Sequence, residues 1–272
     1  MGLRDRGIQI KSPDQIDAMR RAGVVVGETL ELLRASVRAG VTTGDLDEIA
    51  EEHIRSRGGT PSFLGYHGFP ATICTSVNDE VVHGIPGDRV LADGDVVSID
   101  CGAIVDGWHG DAAITVALGE VPEDVAELMR VTEEALWHGI AAARLGGKVS
   151  DISHAVESHV RAAGDYGILE DYTGHGIGSE MHQPPNVPNF GRPGRGAKLV
   201  RGLALAVEPM ITLGTKDTVL REDDWTVVTA DGSRAAHFEH TFTLTPDGAW
   251  VLTALDGGEA RLAELGVPFG GR

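Results

Sequence analysis

Residues 96–115, VVSIDCGAIVDGWHGDAAIT, decide the fold of this chain. Two runs of β-prone residues flank Asp106-Gly107, a dipeptide typical of the two-residue turn of a β-hairpin. If the strands pair directly from that turn, Asp100 lies opposite Ala113, and Asp100 and Asp111 become diagonal neighbours on one face. The stretch therefore predicts an antiparallel hairpin that carries two adjacent carboxylates.

These two carboxylates repel each other unless one is protonated or a cation lies between them. Asp100 follows the apolar run Val96–Ile99, which predicts burial, and a buried Asp without a partner is destabilising. A metal site would explain how two neighbouring aspartates can be buried on the same face. The alternative is that one Asp caps the turn while the other is solvated, and the hairpin alone leaves both interpretations open.

Helical patterns lie on both sides of the hairpin. Ser12-Pro13-Asp14-Gln15 has the signature of a helix start, and the apolar spacing predicts a helix to about Arg38. A second helix is predicted from about Thr43 to Arg57. Helical spacing returns at Pro122, and Ser150 is a candidate cap for a helix that ends near Ala163. Further strands are predicted near Leu203–Glu208 and His237–Leu244.

A weak internal repeat is visible at an offset of 106 residues, and its aligned pairs include Gly40 with Gly146 and Asp45 with Asp151. Each half then has two helices followed by strands. Two such units that share one sheet would form a pseudo-symmetric α+β domain, with helices on one face and a site on the other. Chance alignment of amphipathic helices is the alternative. We expect one domain over residues 1–272, with peripheral tails at about 1–10 and 256–272.

The composition excludes several classes of protein. The chain has 23 Lys and Arg against 41 Asp and Glu, a net charge of −18, which disfavours binding to nucleic acid or to an anionic membrane. It contains no apolar run long enough to span a membrane and no segment like a signal peptide. Two cysteines, Cys74 and Cys101, fit a reducing compartment. We therefore expect a cytoplasmic protein.

A glycine-rich segment, Gly174-His175-Gly176-Ile177-Gly178, is followed by a second histidine, His182. Glycines allow the backbone to approach a ligand closely, and imidazole is a common metal ligand and acid or base. A single histidine is more often a packing or surface residue. The segment alone leaves both interpretations open.

Two glutamates complete the set of candidate ligands. Glu208 ends the apolar run LALAV, and Glu239 shares a strand face with His237 and Thr241 in residues 235–243. Each glutamate alone fits an ion-paired structural role. Four carboxylates in one pocket, however, require about two divalent cations, and mixed oxygen and nitrogen ligands suit Mn, Fe, Co or Zn.

Together these motifs resemble the type I methionine aminopeptidases of the short bacterial kind, in peptidase family M24. The similar segments run in the family's order from about residue 10 to 255: 65–70, 76–86, 100–111, 172–189, 208–209 and 238–241. The resemblance implies the pita-bread fold, an α+β fold with a pseudo-two-fold antiparallel sheet, helices on one face and a dinuclear metal site on the other. It also implies that residues 1–272 form a single catalytic domain.

The resemblance assigns a role to each candidate ligand. Asp100 would chelate one of two divalent ions (Co, Mn, Fe or Zn), and His175 would bind the other. Asp111 and Glu239 would bridge them. Glu208 would complete the coordination of the second ion and act as general acid and base, while a water between the metals attacks the carbonyl after the N-terminal Met.

Further residues are implied in substrate binding. His182 would donate a hydrogen bond to the scissile carbonyl, and His83 would position the substrate amide. The methionine pocket would be lined by Phe63, Tyr66, Phe69, Cys74, Met181 and Trp225. Some relatives have an aromatic residue at the position of Met181 and a Glu at that of Gln183, which affects the shape of the pocket and not the metal ligands.

The implied substrates are N-termini of nascent polypeptides, met at the ribosome by a monomeric enzyme, with a small second residue (Gly, Ala, Ser, Thr, Pro, Val or Cys). The chain's own start, Met1-Gly2, fits that rule and suggests self-processing. The roles of His67, His109 and Cys101 stay open.

Three alternatives remain. An X-Pro peptidase of the same fold usually has a large additional N-terminal domain, and here the similarity begins by about residue 12. A non-catalytic binding protein of this fold would lack metal ligands, and all five positions are filled. A Ser-His-Asp hydrolase is disfavoured because no Gly-x-Ser-x-Gly motif occurs.

Overall fold

The computed structural model describes residues 7–272, so the Met1-Gly2 start lies outside the described residues. The hairpin consists of β4 (Val96–Val105) and β5 (Trp108–Ala117), joined at Asp106-Gly107. Its register places Asp100 opposite Ala113. The predicted hairpin and its register are confirmed.

The hairpin belongs to a nine-stranded sheet with the order β1-β4-β5-β14-β9-β7-β8, in which β2 also pairs with β4 and β15 with β14. All its strand pairs are antiparallel. The other strands are β1 (Thr60–Pro61), β2 (Ile73–Val77), β7 (Gly174–Gly176), β8 (Gln183–Val187), β9 (Ala204–Val207), β14 (Glu239–Leu244) and β15 (Ala249–Val251). Strands from both halves of the chain therefore meet side by side.

Two small sheets flank this large one. Their strands are β3 (Glu80–Val82), β6 (Gly167–Ile168), β10 (Met210–Thr212), β11 (Thr218–Leu220), β12 (Val227–Thr229) and β13 (Ala235–His237). The orders are β11-β12-β3 and β13-β10-β6. The strand predicted near His237–Leu244 is thus two strands, because the chain leaves β10 after His237 and joins β5 from Glu239.

Four long helices cover the sheet: α1 (Pro13–Ser36), α2 (Thr43–Ser56), α3 (Glu123–Ala142) and α4 (Val149–Ala163). The predicted capping box is present at the start of α1, where Ser12 N donates to Gln15 Oε1 at 2.8 Å. Helix α1 packs across β4 and β5, and α3 packs on α4 and on β9, β13 and β14. The approach of α1 is so close at Gly110 that a Cβ there would lie 2.8 Å from the Gly23 backbone nitrogen.

The prediction that Ser150 caps the fourth helix is wrong. Helix α4 begins at Val149, and the Asp151 carboxylate accepts the backbone N–H of Lys148 at 2.7 Å. The Ser150 hydroxyl instead accepts the backbone N–H of Arg195 at 2.7 Å. The acid three positions after the cap supplies the acceptor, as Asp45 does for α2.

The internal repeat is present in the backbone. Gly40 and Gly146 both have left-handed conformations, with φ of 89° and 90°. Their N–H groups donate to the carbonyls of Leu91 at 2.9 Å and Leu199 at 2.8 Å. The same turn therefore precedes the second helix in each half, which supports duplication over chance alignment.

Residues 256–272, which we expected to be peripheral, contain the short helix α5 (Glu259–Glu264). Its Leu262 is fully buried, and Arg272 forms an ion pair with Asp17 of α1 at 2.6 Å. Among residues 7–272, no helix combines the length and apolarity that crossing a membrane requires.

Candidate metal centre and substrate pocket

The five candidate ligands come from neighbouring strands at the middle of the large sheet. Asp100 lies on β4, Asp111 on β5, Glu239 at the start of β14, Glu208 directly after β9, and His175 on β7. Because these strands are consecutive in the sheet, their side chains converge on one face. The structure brings all five residues together.

Two sets of three side chains lie close enough to hold a cation. Asp111, His175 and Glu239 each offer a ligand atom within 4.8 Å of the others, and so do Glu208, His237 and Glu239. Glu239 belongs to both sets. Asp100 adjoins them as the diagonal neighbour of Asp111 on the hairpin, where Gly102 lies opposite Asp111.

The orientation of His175 suits a metal ligand. Its Nδ1 donates to the carbonyl of Gly176 at 3.0 Å, which places the proton on Nδ1 and leaves the lone pair on Nε2. That Nε2 lies 3.5 Å from Glu208 Oε1 and 3.8 Å from Asp111 Oδ2. A backbone carbonyl behind a ligating imidazole is the usual arrangement at metal sites.

Several buried polar atoms of the site have no hydrogen-bond partner among residues 7–272. They are Asp100 Oδ1, Asp111 Oδ1, Glu239 Oε1 and His237 Nε2. A buried polar atom without a partner is destabilising by about 1–3 kcal/mol, and more if it is charged. Divalent cations held among these residues would give such atoms partners, so the donor set fits a metal centre.

The ionisation of the acids leads to the same conclusion. Burial raises the pKa of Asp100 to about 7. Burial, and then the negative charge of neighbouring carboxylates, raises the pKa values of Asp111, Glu208 and Glu239 well above their usual range. Without a cation the four groups cannot all be ionised near neutral pH, whereas a divalent ion would stabilise their charged forms.

His237 is a member of the site that the sequence did not single out. Its Nε2 lies 3.9 Å from Glu208 Oε2 and 3.9 Å from Glu239 Oε2, and burial lowers its pKa to about 3. The ring is therefore neutral and available as a ligand or hydrogen-bond donor. The only sequence signal was its position two residues before Glu239, on the same predicted strand face.

A cavity of about 150 Å³ opens onto these acids. Its lining includes every residue predicted for substrate binding: Phe63, Tyr66, Phe69, Cys74, His83, Met181, His182 and Trp225. The rings of Phe69 and Trp225 meet edge to face, with centroids 5.0 Å apart. The predicted pocket residues are thus brought together beside the predicted metal ligands.

Two neutral histidines border this cavity. His83 follows β3 in a left-handed conformation, with φ of 60°, and burial lowers its pKa to about 4. His182 packs against His175, with ring centroids 4.3 Å apart. Its Nδ1 is hydrogen-bonded to the Tyr66 hydroxyl at 2.8 Å.

The residues whose roles were left open lie around the site. His109 is buried and hydrogen-bonded through Nδ1 to the Ser62 hydroxyl at 3.0 Å. Cys101 is buried in the main hydrophobic core. His67 is exposed and packs edge-on against Tyr66, with ring centroids 4.3 Å apart.

Comparison with known proteins agrees with this geometry. Residues 17–246 match the model of metallopeptidase family M24. The chain is 53% identical over 254 residues to methionine aminopeptidase 1 of Mycobacterium tuberculosis, covering 91% of this chain and 96% of the relative. It is 52% identical over 247 residues to a methionine aminopeptidase of Clostridium acetobutylicum, covering 90% of this chain and 98% of that relative.

Solved structures confirm the predicted pita-bread fold. The methionine aminopeptidase of Thermotoga maritima superposes with a TM-score of 0.89 at 43% identity, covering 91% of this chain and 99% of that one. The prolidase of Pyrococcus furiosus superposes with a TM-score of 0.72 at 22% identity, covering 92% of this chain and 66% of that one. The latter likeness shows a common fold only.

Proposed function

The chain belongs to metallopeptidase family M24 and to its methionine aminopeptidases, and from that membership we propose that it removes the initiator methionine from nascent proteins and peptides. The proposed substrates have a small second residue: Gly, Ala, Ser, Thr, Pro, Val or Cys. The observation that carries this proposal is the apolar cavity of about 150 Å³ that opens directly onto the cluster of four acids and His175.

The proposed cofactors are two divalent ions, Co, Mn, Fe or Zn. Asp100 would hold one and His175 the other, with Asp111 and Glu239 between them and Glu208 on the second. The closeness of Asp111, His175 and Glu239, together with the 3.5 Å between His175 Nε2 and Glu208 Oε1, supports the ion assigned to His175 and Glu208. Asp100 lies outside that set and is the carboxylate left for the other ion. Ions bound there would lower the pKa of a water molecule and polarise the scissile carbonyl.

Glu208 is the proposed general acid and base. Its side chain is 14% exposed, against 5% for Asp111 and 2% for Glu239, so it is the more accessible of the three carboxylates. Burial and the charge of Asp100 raise its pKa, which makes it a stronger base than an ordinary glutamate. It would accept a proton from the attacking water and deliver it to the departing amine.

His182 and His83 are the proposed partners of the scissile amide. His182 would donate to the carbonyl oxygen as negative charge develops there, and His83 would position the amide nitrogen. Burial lowers the pKa values of both, so both rings are neutral near pH 7 and each can donate one hydrogen bond. Neutral donors do not compete with the acids for protons.

The cavity lining supports methionine as the first residue. Phe63, Phe69, Cys74 and Met181 are buried around it, and the partly buried Trp225 packs against them. An unbranched, polarisable thioether packs well against aromatic rings and sulfur. A charged or β-branched first residue would lose that packing.

We further propose that residues 1–272 act as one catalytic domain, as a cytoplasmic monomer that meets its substrates at the ribosome. The nine-stranded sheet takes strands from both halves, and a single chain supplies every residue assigned to the site. The two cysteines are both free, which fits a reducing compartment.

The test is peptide cleavage by the chelated protein with Co, Mn, Fe and Zn added singly. We expect methionine release from Met-Gly and Met-Ala peptides and little from Met-Lys peptides, and none after renewed chelation. Cleavage before Pro in peptides without an N-terminal Met would favour an X-Pro peptidase instead. Absence of cleavage with every metal would favour a non-catalytic binding protein.

A further inference from the structure

The hydroxyl of Tyr66 lies 2.8 Å from Nδ1 of His182, a contact that pocket lining by itself does not require. Tyr66 belongs to a tight turn in which three neighbours, Gly65, His67 and Gly68, are left-handed, with φ of 84°, 49° and 91°. A left-handed conformation is unfavourable for a residue such as His67 and persists where the surroundings enforce it. The turn therefore gives Tyr66 a defined backbone position.

Two buried aromatic residues anchor this turn. The backbone N–H of Tyr66 donates to the carbonyl of Phe63 at 2.8 Å, and that of Gly65 donates to the carbonyl of Phe69 at 2.8 Å. Phe63 and Phe69 are 6% and 3% exposed. The backbone of Tyr66 is thus anchored to the core independently of the contact between its hydroxyl and His182.

The chemistry of the two groups sets the direction of the hydrogen bond. A phenol is a stronger donor than a neutral imidazole, and an imidazole nitrogen is a stronger acceptor than a phenol oxygen. At 2.8 Å the Tyr66 hydroxyl therefore donates and Nδ1 of His182 accepts. A neutral ring that accepts at Nδ1 carries its own proton on Nε2.

We infer that Tyr66 is a positioning residue: its hydroxyl holds His182 in the orientation and tautomer in which Nε2–H can donate to the scissile carbonyl oxygen. The inference rests on the proposed function, in which His182 makes that donation. In the other tautomer an Nε2 lone pair would face the carbonyl oxygen and repel it. A phenylalanine at this position would line the pocket equally well but could not select the tautomer.

The direct test is the tautomer of His182 in the Zn²⁺-loaded protein, read from long-range ¹H–¹⁵N correlations at pH 8. The His182 signal is assigned by its loss in His182→Gln. We expect a protonated Nε2 in the unsubstituted protein and a mixture of tautomers in Tyr66→Phe. The matched control is Tyr166→Phe, which removes a hydroxyl just before β6, outside the site, and should leave the tautomer unchanged.

The second readout is kinetic. With a Met-Ala peptide, Tyr66→Phe should lower kcat about fivefold, the factor that one ordinary net hydrogen bond represents, and leave KM unchanged. The inference is overturned if either the tautomer or kcat is unchanged in Tyr66→Phe, or if only KM rises. A lack of methionine release by the unsubstituted protein would overturn the proposed function instead, before any variant is compared.

Discussion

His237 Nε2 lies 3.9 Å from Glu239 Oε2, although the two residues belong to strands of different sheets. The chain makes this contact by changing sheets at Phe238, because β13 ends at His237 and β14 begins at Glu239. At 3.9 Å the contact is too long for a hydrogen bond, and it leaves room for a shared ion. His237 therefore joins the site from outside the large sheet.

Substitution of His237 should weaken metal binding. We expect His237→Asn to lower the affinity for Zn²⁺ about 10- to 100-fold, the usual effect of removing a residue next to metal-ligating carboxylates. Competition with a coloured chelator measures this affinity. The control is His240→Asn, since the His240 ring bonds to Thr253 at 2.8 Å and packs on Trp137. Equal losses in the two variants would contradict a specific role for His237.

Asp100→Asn should abolish methionine release while the fold persists. The amide keeps the shape of the side chain but removes the charge that a divalent ion needs. The matched control is Asp106→Asn, on the same hairpin, where the exposed turn residue has φ of 52°, a conformation that Asn tolerates. Turnover retained above a few per cent in Asp100→Asn would remove Asp100 from the metal ligands.

The hairpin that carries these aspartates could be predicted because its information is local. The Asp106-Gly107 turn fixes the register, and the register fixes the faces on which Asp100 and Asp111 lie. The closeness of Glu208 and His175 to that hairpin depends on the order β5-β14-β9-β7, which joins distant parts of the chain. Before the structure, only the resemblance to a known family predicted that these residues share one site.

Two local predictions were less reliable for a related reason. Residues 235–243 have the alternation of one strand, and nothing in them shows that His237 and Glu239 pair with different partners. At the start of α4, Ser150 is a good cap by type, but the helix begins one residue earlier, at Val149, and Lys148 is the cap. Asp151, three residues after the cap, accepts the Lys148 N–H, and the Ser150 hydroxyl accepts the N–H of Arg195, which is distant in sequence.

The raised pKa of Asp100 predicts how metal stabilisation depends on pH. Its pKa is about 7 in the folded chelated protein and 3.8 as the ordinary value, so folding favours the protonated form. The contribution of protonated Asp100 to the stability of the chelated protein is therefore complete below about pH 4 and is lost as the pH rises through 7. A bound divalent ion takes the place of the proton on Asp100, so the metal-loaded protein does not lose this stability.

The difference in Tm between metal-loaded and chelated protein should therefore increase from pH 6.5 to 8.5. Each kcal/mol corresponds to about 2–4 °C for a chain of this size. Differential scanning calorimetry at both pH values measures the difference. Asp100→Asn should show a smaller increase, because the amide does not titrate. A difference that stays constant or shrinks with rising pH would contradict the assignment.

Met181→Ala should weaken substrate binding without changing the chemical step. Met181 is buried in the wall of the 150 Å³ cavity, so its truncation removes contacts with the methionine side chain that are equal in the ground and transition states. We expect KM for a Met-Ala peptide to rise about tenfold at nearly constant kcat. Met129→Ala on α3, outside the cavity, is the control. A fall in kcat at unchanged KM would place Met181 in the catalytic step instead.

Gly110→Ala should separate α1 from the hairpin. A Cβ at Gly110 would lie 2.8 Å from the backbone nitrogen and 2.9 Å from the Cα of Gly23, and a backbone cannot move aside as a flexible side chain can. We expect a loss of about 1–3 kcal/mol in the free energy of unfolding, as for other overpacked sites. Activity should fall as well, because Asp111 is the next residue on the strand. Gly87→Ala is the control, because nothing lies within 4 Å of a Cβ there. Urea unfolding measures both variants. Equal unfolding midpoints would show that stability does not require the close approach of α1 to Gly110.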